Sequence, residues 1–101
     1  MAALRNLDAI DDVIHQKVRL GVMSSLMASG ECDFNFLKAA LGVSDGNLST
    51  HLTVLEESGY IAVRKEFQGK KPRTTYSPTD AGRRAFATYV AALEAMVRAG
   101  L

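Results

Sequence analysis

Residues 44–73 read SDGNLSTHLTVLEESGYIAVRKEFQGKKPR, a polar, capped helix set directly before a basic hairpin. Leu48, Leu52 and Leu55 recur at the spacing that turns side chains to one face of a helix. The other face is small and hydrogen-bonding, made of Asp45, Asn47, Ser49, Thr50 and Thr53. Such groups let a backbone come close to another surface and read its donors and acceptors, and Gly46 widens that approach. Ser44 is a good N-cap, and Asp45 suits a first turn, where the helix dipole favours negative charge. Gly59 stands just past Ser58, where a left-handed residue ends a helix. The spacing predicts a helix over about residues 45–58, shaped for a DNA groove, with positive charge for phosphates a few residues away.

Working outward, residues 35–41 read as a short helix with Phe36, Leu37 and Leu41 available for burial. Gly42-Val43 leaves room only for a tight turn, so the pair forms a helix-turn-helix. Leu7, Ile10, Ile14, Val18, Val22 and Leu26 recur at helical spacing and predict a long first helix over about 8–28, stopped by Gly30. A short extended piece fits at Cys32–Phe34. Downstream, Tyr60 to Lys65 alternates as a strand, Gln68–Pro72 is a turn, and Arg73–Tyr76 returns, giving a wing over about 60–77. Thr79 then caps a last helix over about 80–99. The expected fold is mainly α with a β-hairpin (α+β), a winged helix-turn-helix in the order α-α-α-β-β-α, with one domain covering residues 1–101.

The chain has 101 residues, 48% of them apolar, enough for one core but not two. A single cysteine, Cys32, rules out an intramolecular disulfide framework and fits a reducing cytoplasm. No apolar run approaches the roughly 20 residues that span a bilayer, and the N-terminus lacks the features of a signal peptide, so a soluble cytoplasmic protein without membrane contacts is expected. The net charge of +1 hides an asymmetry. Residues 1–63 carry four Lys/Arg against eight Asp/Glu, and residues 64–101 carry eight against three. Within Arg64–Arg73, five cations face one acid, Glu66, a local +4. Counterion release responds to the local patch, so the whole-chain value does not veto DNA binding, though it argues against a purely electrostatic, non-specific binder.

The run GNLSTHLTVLEESGYI, followed by KEFQGKKPRTTYSPTDAGRRAF, resembles the small winged-helix transcription factors of the MarR and ArsR type, most closely a compact MarR-like subgroup with little beyond the DNA-binding domain. The resemblance spans about residues 7–97. It implies a dimeric transcriptional regulator, usually a repressor on a palindromic operator, with the third helix in the major groove and the wing on the backbone or adjacent minor groove. It also implies that the first and last helices form the dimer interface. Larger relatives carry additional helices around a ligand cavity, for which this chain has little material.

Each feature also has a plainer reading. Ser44, Asp45, Gly46, Asn47, Ser49, Thr50 and Thr53 could form an ordinary solvent face, but the adjoining turn and wing favour DNA contact. Asn can pair bidentately with adenine, and Ser or Thr can meet a base or a phosphate. Asp45 would accept from cytosine or support the helix start. His51 packs against the fold or meets a phosphate. Lys65, Lys70, Lys71 and Arg73 either keep a hairpin edge soluble or contact phosphate, and Arg64 and Lys65 alternate sides, so only one joins that surface. Arg83 and Arg84 are backbone contacts or surface charges.

The stripe Phe86, Tyr89, Val90, Leu93, Met96 and Val97, with Leu4, Leu7 and Ile10, is wide for so small a body and points to a homodimer. Cys32 is read as packing rather than a redox sensor. His15, His51 and Cys32 lack ligand spacing, so no metal or other cofactor is expected. No phosphate-cradling loop, nucleophile elbow or carboxylate pair marks an enzyme. Two rival readings are a protein-docking winged helix and a ligand sensor with a cavity lined by Met23, Tyr89 and Met96.

Overall fold

The structure, a computed structural model, describes residues 6–99. Its first element is a 3-10 turn at Asn6–Ala9, and the first α-helix, α1, begins only at Lys17 and runs to Ser29. The single long helix expected over 8–28 is therefore corrected. Asp11 breaks it, because its carboxylate accepts from the backbone N–H groups of Val13 at 2.8 Å and Ile14 at 3.2 Å, offering the chain a local turn in place of a helix. Gln16 then takes an extended conformation and caps α1, accepting from Val18 and Arg19 N–H at 2.9 Å each. The apolar period survives the break because Ile10, Val13 and Ile14 pack on the core from the turn.

The remaining elements follow in the order β1 (Cys32–Asp33), α2 (Phe34–Leu41), α3 (Asp45–Glu57), β2 (Ile61–Gln68), β3 (Lys71–Pro78) and α4 (Asp80–Ala99). This is the expected winged-helix order with a short strand added: β1 pairs antiparallel with β3, Cys32 opposite Tyr76, and makes a three-stranded sheet in the order β1-β3-β2. The hairpin turn is tighter than the five-residue turn expected. Gly69, at φ 66°, permits a two-residue connection with Lys70, so Gln68 and Lys71 are already paired strand residues.

The core gathers Ile14, Val22, Met23 and Leu26 with Leu37 of α2, Leu48, Leu52 and Leu55 of α3, and Ile61 and Tyr76 of the sheet. All three leucines of the α3 seam are buried. The start of α4 is docked on the root of the wing. Thr79 Oγ1 donates to the Gly59 carbonyl at 2.6 Å and accepts from Gly82 N–H at 3.0 Å, so it caps α4 as expected, while Thr79 N–H donates to the Tyr60 carbonyl at 3.1 Å. Gly82 lies against that carbonyl so closely that a side chain there would meet Tyr60 backbone atoms.

Candidate nucleic-acid interface

Every proposed reading position on α3 is open to solvent: Asp45, Gly46, Asn47, Ser49, Thr50 and Thr53 are exposed, as is Ser44. Ser44 Oγ accepts from Asn47 N–H at 3.1 Å and closes the first turn. Thr50 Oγ1 donates to the Gly46 carbonyl at 2.9 Å, which pins the hydroxyl to the helix and leaves it lone pairs to offer. Lys38 Nζ reaches the Asp45 carboxylate at 2.7 Å, joining α2 to α3 across the turn. Of the two roles open to Asp45, this contact favours support of the helix start.

His51 is placed as a packing residue. Arg19, on α1, donates through Nε to the Val13 carbonyl and through Nη1 to His51 Nδ1 at 2.9 Å. Arginine has only donors, so His51 Nδ1 accepts and the ring proton sits on Nε2. Burial, and then the Arg19 charge, push the His51 pKa below its ordinary 6.5. Below pH 6.5 the unfolded chain therefore binds more protons than the folded one, so stability present above that value falls as pH falls. A thermal melt should lose midpoint temperature between about pH 6.5 and the lowered folded value, and His51→Gln should flatten that slope. A slope unchanged by the substitution would remove His51 from this role.

Strand register sorts the wing into two faces. Val63, Lys65 and Phe67 stand opposite Tyr76, Thr74 and Pro72 and share one face; Arg64 and Glu66, opposite Thr75 and Arg73, share the other. Val63, Lys65 and Tyr76 line one shallow groove with Ser49 and Thr53 of α3, so the Lys65 side of the hairpin adjoins the exposed face of the reading helix. Arg64 instead pairs with Glu31 at 3.2 Å and Glu66 at 3.4 Å. Arg73 is half-buried and lies 3.4 Å from Asp33. The local +4 counted from sequence is thus partly matched by acids in and before β1, which a count over Arg64–Arg73 could not include. Among the described residues Lys65, Lys70 and Lys71 form no ion pair, while Arg83 and Arg84 are exposed on α4.

The other proposed interface divides. Tyr89 belongs to its own core, 1% exposed, with its hydroxyl 2.9 Å from His15 Nδ1. Ile10 is half-buried on the core, Leu7 is half-exposed, and Leu4 lies outside the described residues. Phe86, Val90 and Leu93 are half-buried and, with Leu20, the edge of Tyr89 and the 80%-exposed Val97, line an apolar groove of about 430 Å³ between α1 and α4. Met96 is half-buried, and neither it nor the core residue Met23 lines the groove. Cys32 is buried, and that burial raises its thiol pKa, which suits packing. Among the described residues no three of His, Cys, Asp or Glu stand together as a metal set, and no helix is long and apolar enough to cross a membrane.

With this geometry in place, the sequence profile of a winged helix DNA-binding domain matches residues 18–97. The chain belongs to the winged helix DNA-binding domain family. An uncharacterized protein of Methanocaldococcus jannaschii is 35% identical over 78 residues, covering 77% of this chain and 85% of that protein. The structure of a transcriptional regulator homologue protein from Pyrococcus horikoshii OT3 superposes with a TM-score of 0.86 at 27% identity, over 98% of this chain and 97% of that one. A MarR-family regulator from Silicibacter pomeroyi shares the fold at a TM-score of 0.58 and 20% identity, over 83% of this chain and 58% of its own. The MarR/ArsR resemblance read from Gly46–Ile61 and the wing holds for the winged-helix fold.

Proposed function

We propose that this winged-helix protein is a homodimeric transcriptional regulator that binds double-stranded DNA sequence-specifically, as a repressor on a palindromic operator. The observation that carries this reading is the single groove in which Ser49 and Thr53 of the capped helix meet Lys65 of the wing. Ser49 and Thr53 as base-reading groups and Lys65 as a phosphate-binding cation share that groove, with Glu56 beside them. In the dimer, α4 of each chain covers the apolar groove of its partner. The two α3 helices then sit about 34 Å apart, one turn of DNA.

Selection of bound duplexes from a random pool at physiological salt tests the reading. The expected product is an inverted repeat with half-site centres about one helical turn apart. Recovery of no preferred duplex would sink it. Two substitutions separate the two kinds of contact. Asn47→Ala should relax preference at one defined base pair, costing about 1–3 kcal/mol for a bidentate contact. Lys70→Ala should weaken binding to all sequences alike and lower the salt dependence by about one phosphate. Identical behaviour of the two variants in salt titrations would refute that division of labour.

A further inference from the structure

Phe67 is 74% exposed near the tip of the wing, and nothing in the fold needs it there. Single exposed apolar side chains are common, so exposure alone means little. Its surroundings are unusual. Pro72 stands directly across the hairpin, and Phe67 shares its face with Lys65, the face that adjoins α3. Lys65 on its own face, Lys70 in the turn and Lys71 on the opposite face of the tip form no ion pairs among the described residues. A second copy or an ordinary protein surface would have to neutralise those three ammonium groups, whereas a polyanion does so along its whole length. Reach agrees as well. Phe67 lies six residues beyond Ile61, about 20 Å at the rise of a strand, and half a turn of B-DNA separates a major groove from the next minor groove by about 17 Å.

We propose that Phe67, backed by Pro72, is a wedge that enters the minor groove beside the half-site and partly unstacks one base step. Apolar wedges of this kind kink duplexes, and their cost depends on the step being opened. The wing therefore reads how easily the flanking DNA deforms, while α3 reads base edges. This inference rests on the DNA-binding function proposed above and adds to it a second mode of selectivity.

The test uses duplexes recovered by the wild-type chain from a random pool, with 2-aminopurine replacing adenine at successive flanking positions. Wild type should enrich flexible TA or CA/TG steps at a fixed distance from the half-site and raise the fluorescence of a probe there. Phe67→Ala should keep the half-site preference, lose both the flank preference and the fluorescence rise, and bind roughly tenfold more weakly. Phe67→Leu, still an apolar wedge, should restore much of the signal. An enriched duplex on which wild type and Phe67→Ala give the same fluorescence and flank preference would overturn the wedge and leave the DNA-binding function intact. A pool with no enriched duplex would overturn both.

Discussion

Among the described glycines, Gly82→Ala should be the most destabilising change. The new Cβ would lie 2.9 Å from the Tyr60 carbonyl carbon and closer still to its oxygen, and both belong to backbone that cannot rotate away. Relief requires α4 to lift from the root of the wing, which breaks the Thr79 bonds to Gly59 and Tyr60. Overpacking typically costs about 1–3 kcal/mol, and a backbone clash belongs at or above the top of that range. For a chain of this size that corresponds to a midpoint lowered by about 12–24 °C in a thermal melt. Gly46→Ala is the internal control. Gly46 also lies within a helix, but its added Cβ meets nothing within 4 Å, so the same change should raise stability by up to about 1 kcal/mol. Equal melts for the two variants would mean that α4 does not sit where the Tyr60 contact requires.

Val97→Glu should turn the proposed dimer into a monomer and remove at least about a hundredfold of the affinity expected for a palindromic duplex, leaving little beyond non-specific binding. Val97 is 80% exposed in the single chain, so the change itself should alter folding by no more than about 0.5 kcal/mol. In the proposed dimer the same position lies against an apolar partner surface, where an unpaired carboxylate is strongly disfavoured. Sedimentation at micromolar concentration reads the assembly, and circular dichroism verifies that the monomer is folded. A variant that stays dimeric and binds as wild type does would place the dimer contact elsewhere.

The helix-turn-helix and the wing were legible because their signals are local. Ser44, Leu48, Leu52, Leu55 and Thr79 cap or bury themselves within one turn or along one seam, and each does in the structure what its spacing predicts. The first helix was misread because periodicity reports burial rather than helicity. Ile10 and Ile14 face the core from a turn, and the competing event was a carboxylate taking over backbone donors. Ion pairs were illegible for a different reason. Arg64 finds Glu31 thirty-three positions away, and Arg73 finds Asp33, through the pairing of β1 with β3, a strand of two residues that carries almost no pattern of its own. Tyr89 was assigned to a surface stripe, yet its stripe is broad enough to serve both the core and the outside.

Those ion pairs also govern how such a protein would search a chromosome. With only Lys65, Lys70 and Lys71 uncommitted on each wing among the described residues, the two wings of a dimer would offer about six phosphate contacts, a grip on random sequence that would fall with roughly the fifth power of salt concentration. So loose a tether favours brief visits and frequent release over long one-dimensional travel. Residence time would then be set mainly by the bases under α3, and the protein would leave most of the genome uncovered even when abundant.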